Sequence, residues 1–476
     1  MTRLRAAVLI ALGAGLAAVR ASAAELPVPC VGGNCGANGP AVWVTSGEAA
    51  ATISGNRLTV NQASDRAILN WASFNVGANG EVVFQQPSAT SVALNRIFQQ
   101  DPSAILGAVS ANGQVYLINP NGLVFGEGAR VNVQSMIAST LELDDELFNG
   151  VGVVRAIDQE GRAVFEGTNP ESSIHIEAGA ELVAAGGGRI VVLAPEIINE
   201  GRIDTPDGQA LLAASTDRVF LQVSNDSGLR GLLVEVDTGG TVTNIGDIVA
   251  PRGNITLAGL TVNQQGLVSA TTSVRSNGSI RLLARDTAEV LLQGERPLLQ
   301  SRNGGTLTLG ENSITEVVPE LDDPTLAVDE QAQALSNIEL VGRQVTLETD
   351  ALVAAAGGNV SVTATADPAV AGSGFVEQNN SQIFMQDGAT IDVSGVASTV
   401  LPMERNIVEL ELRGNELADA PLQRDGPLRG ESVRIDARVG TPLANIDGAL
   451  AAIERGVGER LSSGGSVTLL SEGSVV

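Results

Sequence analysis

The feature that most narrows the fold is a beat of very short apolar runs cut by sharp corners, clearest over residues 113–133, GQVYLINPNGLVFGEGARVNV. Val115, Tyr116, Leu117 and Ile118 form one run, Asn119-Pro120-Asn121-Gly122 stops it, and Leu123, Val124 and Phe125 resume at once. The tetrad has type I turn chemistry at every position: Asn119 can bond forward, Pro120 presets φ, Asn121 tolerates the third place and Gly122 is the favoured exit. Turn signals recur at Asn112-Gly113 and Glu127-Gly128, which leaves strands of only about four or five residues. Strands that short suit a chain winding in coils better than one building long hairpins. The tetrad taken alone fits a corner of a β-sandwich equally well.

The same idiom returns downstream. LVAAGGGRIVVLA (182–194), RIDTPDGQALLAA (202–214), IVAPRGNITLA (248–258), LVSATTSVRSNGSIRLLA (267–284) and LVAAAGGNVSVTA (352–364) each give an apolar pair or near-pair, a Gly-containing corner of variable length and a short strand ending in Ala. Units that bury little alone but stack into one continuous core are the signature of a solenoid, here with a loose period. Coils of about 22 residues stacked at ~4.8 Å predict a rod of roughly 90–100 Å. Such a core is narrow, and the composition agrees: hydrophobic residues reach 43%, yet there are only 9 Phe, 2 Trp and 1 Tyr beside 55 Gly. The net charge of −26, with every cation an Arg, argues against a nucleic-acid partner, which needs cationic contacts to phosphate. It favours solubility and weak adhesion to anionic membranes.

Residues 1–23 read as a secretory signal: Arg3 and Arg5, an apolar stretch too short for a confident span, and Ala21-Ser22-Ala23 as the cleavage site. Export hands the chain to the general secretion machinery and to an oxidising compartment. Cys30 and Cys35, the only cysteines of the segment 24–40 and of the chain, can then close a small disulfide loop. A lipid anchor on Cys30 is the competing reading, weakened by Pro29 where a small residue is wanted.

LNWASFNVGANGEVVFQQPSATSVALNRI (69–97), SAILGAVSANGQVYLINPNGLVFGEGARVNV (103–133) and MIAST (136–140) resemble the secretion domain of the filamentous haemagglutinin family, the large exoproteins of two-partner secretion. The resemblance covers residues 41–300 and is densest over 69–140. It implies an all-β fold, a right-handed parallel β-helix with an N-terminal cap, extra-helical strands and few short helices. It also implies recognition by the periplasmic domains of a dedicated outer-membrane barrel transporter, through which the unfolded chain is exported to the cell surface or beyond. The family's Asn-Pro-Asn-Gly motif stands at Asn119, Pro120, Asn121 and Gly122, while its Asn-Pro-Asn-Leu motif has no copy here. Residues 301–476 then read as further coils of an adhesin-like stalk that continues past the chain end and meets a host or neighbouring cell.

Other candidates carry weaker chemistry. Parallel β-helices also host polysaccharide-degrading enzymes, but no acidic ladder runs along these coils and no calcium-binding Gly-Asp nonapeptide recurs. The delivery stalk of a contact-dependent toxin is a further alternative that these residues do not test. Neither a cofactor nor a metal is expected. The sole histidine, His175, reads as an exposed strand residue without a second His to complete a zinc site. Arg189, Arg202, Arg252 and Arg281 recur beside corners, as a sugar-binding stripe or, more simply, as solvated corners. Residues 310–336 break the pattern with an acidic insertion holding Asp322-Asp323, where a solvated loop outweighs catalysis, and residues 326–335 suit one short helix. A turn or helix is expected around residues 101–106. Ile446, Leu450, Ile453, Val457 and Leu461 fall at helical spacing, as a helix against the rod or a docking helix.

Overall fold

The computed structural model describes residues 25–37, 39–150, 165–224, 231–293, 296–328, 331, 335–372, 379–397 and 399–476. The expected signal sequence, with Ala21 and Ala23, lies outside them. The chain winds through three parallel sheets in a fixed order. One coil runs Gln114–Ile118 on the first face, Leu123–Phe125 on the second and Arg130–Val133 on the third. The next begins with Ser135–Ser139, which lies beside Gln114–Ile118 in parallel register, Val115 against Met136 and Leu117 against Ala138. The second and third faces are built the same way, so the molecule is a parallel β-helix.

Burial explains the two kinds of strand pattern. On the third face, Arg130–Val133 alternates exposed and buried residues, as a sheet with one wet side must. On the first face, Val115 and Leu117 point into the helix core, while Tyr116 and Ile118 face a second cluster outside it. Both sides of that strand are covered, so its sequence reads as an unbroken apolar run. Each repeat legible in the sequence is a third-face strand, a corner and a first-face strand: Glu181–Ala184 then Arg189–Ala194, Arg202–Asp204 then Gln209–Ala214, Asp247–Ala250 then Asn254–Gly259.

The looseness of the period has one main source, the corner between the first and second faces. After the Asn119-Gly122 corner it alternates between long insertions and single residues. In one coil the described residues 140–150 and 165–172 lie there, and in the next Pro195 alone. Residues 215–240 then alternate with Leu260, 285–305 with Arg343, and 365–381 follow. A laterally packed antiparallel element occupies about 10 Å, two coil spacings of ~4.8 Å, so insertions fit at every second coil. They form a four-stranded sheet of Glu142–Leu143, Phe165–Glu166, Arg218–Val223 and Leu232–Val236, and a hairpin of Ser279–Gln293 with Arg296–Gly304. The sheet, with Leu141 and Phe148, covers the outer side of the first face over Leu94, Tyr116, Ile137, Leu193 and Leu211, and the hairpin packs on the sheet through Ala288 and Phe220.

An antiparallel cap closes the N-terminal end. Val28–Pro29 and Val44–Ser46 pair with the first strand of the first face, Arg66–Ser73, and Ala49–Ser54 pairs with Arg57–Gln62 on the third. Trp43 stands edge-on to Trp71 at 5.4 Å between ring centres. Cys30 and Cys35 are bonded, with Cα atoms 5.5 Å apart, and the Cys30 N–H donates to the Asn70 carbonyl at 2.9 Å.

Four local expectations give way. Residues 101–106 hold a strand, Ser103–Ile105, because they pair with Leu123–Phe125. Within 326–335 the described residues include the strand Ala327–Val328, paired with Glu454–Arg455, and no helix. The helical spacing of 446–461 yields two short helices, Asp447–Ala451 and Val457–Arg460, divided by that strand. The reason is that its apolar residues serve two cores: Ile446, Leu450 and Ile453 pack on Val408 and Leu412, whereas Val457 and Leu461 pack on Val274 and Ala327. His175, finally, is not exposed: 18% of its side chain is accessible, and Nε2 lies 2.9 Å from Glu200 Oε2.

Candidate functional site

Asn119-Pro120-Asn121-Gly122 forms a closed type I corner. The Gly122 N–H donates to the Asn119 carbonyl at 3.0 Å, Asn121 keeps a negative φ, and the Asn121 N–H donates to Asn119 Oδ1 at 2.9 Å. The side chains then turn to neighbouring coils. Asn119 Nδ2 donates to the Asp101 carbonyl at 3.2 Å and Ser103 Oγ at 3.0 Å, and Asn121 Nδ2 donates to the Gln99 carbonyl at 2.8 Å. From the following coil, Asn169 Nδ2 donates to the Pro120 carbonyl at 3.1 Å, and the Ser139 carbonyl accepts from the Asn119 N–H at 3.0 Å.

The network continues toward the cap. Gln99 Nε2 reaches the Pro102 carbonyl at 2.9 Å, and its Oε1 accepts from the Phe74 N–H at 2.8 Å. Asn75 Oδ1 accepts from the Ala104 N–H at 2.9 Å, and its Nδ2 donates to Glu25 Oε1 at 2.8 Å. A column of side-chain amides, Asn75, Gln99, Asn119, Asn121 and Asn169, thus stitches this corner across the first coils. Asn119 is wholly buried, so losing its amide strands the Asp101 carbonyl, the Ser103 hydroxyl and the Asn121 N–H at a cost of about 1–3 kcal/mol. Gly122 has φ +116°, which favours glycine, and a Cβ there would lie 2.9 Å from the Ser173 carbonyl and 3.3 Å from the Pro102 ring. The corner is filled from both sides and offers solvent only parts of Pro120 and Asn121. Its first task is to set the stacking of coils.

The remaining candidates are absorbed by structure. Arg202 pairs with Asp204 at 3.0 Å and Asp247 at 3.6 Å, and Arg281 with Glu339 at 2.6 Å. Arg252 binds Asp207 at 2.7 Å and Glu320 at 2.9 Å, and these hydrogen bonds raise its pKa above the ordinary arginine value. Arg189 and Arg281 lie on the first face, Arg202 on the third and Arg252 at the corner between them, so they form no single stripe. Asp323 accepts from the Thr325 hydroxyl at 2.6 Å and its N–H at 2.9 Å, which hold its carboxyl below the usual range. That is the wrong direction for a general acid. Among the described residues no three His, Cys, Asp or Glu side chains gather as a metal site.

The TPS secretion domain family matches residues 43–294. This chain belongs to that family. A heme/hemopexin-binding protein of Haemophilus influenzae is 34% identical over 298 residues, covering 60% of this chain and 30% of that protein. A second protein of that name, also from Haemophilus influenzae, is 43% identical over 89 residues, 19% of this chain and 10% of its own length. The chain therefore spans at most about a third of these relatives, 30% and 10%. The crystal structure of the HMW1 secretion domain from Haemophilus influenzae superposes with a TM-score of 0.54 at 24% identity, covering 74% of this chain and 83% of that one, and shows the shared β-helix fold. The family places this chain among the exoproteins of two-partner secretion.

Two features have little or no trace in local sequence. One is the amide column, whose members are spread over 75–169 with no fixed spacing. The other has a faint signal: Gly239-Gly240-Thr241 and Gly304-Gly305-Thr306 end two insertions. A Cβ at Gly240 would lie 1.8 Å from the Pro195 carbonyl, and one at Gly305 1.8 Å from that of Leu260. The glycine pair marks where an insertion rejoins the helix against a single-residue corner.

Proposed function

We propose that the cap and first coils of this chain are the part recognised by the periplasmic domains of a dedicated outer-membrane barrel transporter, after a signal sequence with Ala21 and Ala23 at its cleavage site has carried the chain across the inner membrane. The observation that carries this reading is the family match over residues 43–294, joined to a capped β-helix that begins within the match. In it, Asn119, Pro120, Asn121 and Gly122 act indirectly. Asn119 is buried beneath its neighbours, so the corner supports the transporter-competent fold by fixing how the first coils stack. Coils 301–476 prolong the helix as a non-enzymatic, adhesin-like stalk toward another cell. The haem and hemopexin binding in the relatives' names belongs to whole proteins of which this chain matches a minor part.

The deciding experiment is export of residues 1–300 with and without a co-expressed transporter. Secretion that needs the transporter supports the reading, and transporter-independent secretion overturns it. Within that assay Asn119→Ala and Gly122→Val should reduce export while leaving signal cleavage intact. Export of both at the unaltered level would reduce the tetrad to an ordinary corner. Folding outside the cell also supplies direction, since coils that have collapsed cannot slip back; a pre-folded secretion domain exported as fast as the unaltered chain would contradict this.

A further inference from the structure

Of the segments inserted between the first and second faces, the first runs back toward the cap. Residues 141–150 leave the fourth strand of the first face, Ser135–Ser139, and cross its outer side toward the N-terminal end. The short helix Asp145–Asn149, capped by Asp144, ends over the first coil. There Arg66 Nη1 donates to the carbonyls of Phe148 at 2.6 Å, Asn149 at 2.8 Å and Gly150 at 3.1 Å. These are carbonyls that a helix C-terminus leaves without partners, and they favour a cation. One coil on, Arg96 binds Asp145 through Nε at 3.1 Å and Nη2 at 2.5 Å, and also the Leu143 carbonyl. Ser46 Oγ in the cap donates to Asn149 Oδ1 at 3.0 Å. Phe148, 2% exposed, lies edge-on to Tyr116 of the third coil at 6.2 Å between ring centres.

We propose that residues 141–150 are a strap that closes the cap and first four coils into one unit, with Arg66 and Arg96 as the positioning residues that seat it. The strap touches the cap, Arg66, Arg96, Tyr116 and Ile137 in turn. Before it docks, the outer side of the first face over Ile68, Leu94 and Tyr116 stands bare and the cap lacks its outer tie. The N-terminal end thus stays openable until the chain has been delivered through residue 150, after which it locks. This deepens the secretion reading by naming the smallest stretch that can close, but the closure itself is a property of the isolated chain and is tested without a transporter.

The molecule carries its own reporters. Both tryptophans, Trp43 and Trp71, lie in the cap and first coil, so tryptophan fluorescence reads that end, while far-ultraviolet circular dichroism reads all coils. Denaturant titration of the purified mature chain should show, for Arg66→Ala, a fluorescence transition at lower denaturant than that of circular dichroism. Non-coincidence of the two probes marks separate opening of one region. Amide exchange in Arg66–Ser73 should speed up by roughly tenfold or more, with exchange beyond residue 240 unchanged. Arg66→Lys, which keeps the charge on a shorter side chain ending in a single nitrogen, should fall between. Ser46→Cys with Asn149→Cys, oxidised to a staple in the Arg66→Ala background, should return the fluorescence transition to its original place. Coincident movement of both probes, no movement in Arg66→Ala, or a staple that restores nothing would each overturn the strap. Should Arg66→Ala fail to accumulate, Arg66→Lys with and without the staple decides the same question.

Discussion

Two corners of the same helix are built on opposite rules. Between the second and third faces, the corners seen have two or four residues and no insertion. Between the first and second faces, once past the Asn119-Gly122 tetrad, insertions alternate with single residues. The constant corner is closed by chemistry inside the helix. Asn199, Asn244 and Gln264 stack in register, wholly buried. Asn199 Nδ2 donates to Asn244 Oδ1 at 2.7 Å, and Asn244 Nδ2 to Gln264 Oε1 at 2.7 Å. Each of the latter two also reaches the glycine of its own corner, Gly246 at 3.2 Å and Gly266 at 2.9 Å. A corner sealed by side chains pointing inward has no room to grow. The variable corner opens outward, onto a face whose outer side needs cover, and there length is tolerated because each insertion brings its own apolar surface. Coil-to-coil fidelity and lateral elaboration are thus assigned to different edges.

The sharpest way to break this comparison is at the constant corner. Gly246→Val should lower stability by about 3 kcal/mol or more, because its Cβ would lie 2.1 Å from the Gly201 carbonyl of the coil before and backbone cannot yield. Denaturant unfolding followed by circular dichroism measures it, and a loss under about 1 kcal/mol would mean that these corners are not close-packed. Asn244→Ala removes the centre of the amide stack and should cost about 2–3 kcal/mol in the same assay.

On the variable side the expected effects are local. The outer hairpin of Ser279–Gln293 and Arg296–Gly304 is tied down by Arg285, which binds Glu235, while Ser301 Oγ donates to the same carboxylate at 2.6 Å. Beside them Glu339 faces Arg281 and Arg285. Burial pushes its pKa up, but the two arginines outweigh burial and hold it below the usual carboxylate value. A folded pKa below the unfolded one contributes stability above the unfolded value of about 4.3, lost as pH falls through the folded value. The protection of the hairpin amides, taken as the exchange rate relative to the intrinsic rate at each pH, should therefore fall on acidification below that value, and Glu339→Gln should flatten this dependence. The smallest effect is expected at Gly414, beyond the regular coils, where a Cβ would meet nothing within 4 Å. Gly414→Ala should change stability by no more than about 0.5 kcal/mol.

How much of this was legible follows the same division. The third face and its corner into the first face could be read because apolar pairs, glycine and Ala-ended strands recur there in coil after coil. The continuous run Val115 to Ile118 signalled a strand covered on both sides, although what covered its outer side could not be seen. That cover comes from 140–150, 165–167, 215–224 and 231–240, whose strands pair antiparallel within an insertion, as Leu143 does with Phe165, and from one insertion to the next, as Glu166 does with Arg218. No local pattern encodes such pairing. The tetrad was legible as a turn, but its burial depends on Asp101, Ser103, Ser139 and Asn169, which only the stacking brings together. The helical spacing of 446–461 misled for a related reason: residues at one periodicity can be divided between two cores when a strand pairing intervenes.

The alternating corner also has a mechanical consequence. Under tension along the chain a plain solenoid peels one coil at a time, each coil of about 22 residues releasing roughly 75 Å of contour. Here Gly240 and Gly305 seat the ends of their insertions against the coils that turn at Pro195 and Leu260, so each of these two plain coils is clasped by an elaborated neighbour. Pulled from the C-terminal side, such a rod should yield in paired steps, with long quiet intervals between them, behaving less like a zipper than like a ratchet with two-tooth spacing.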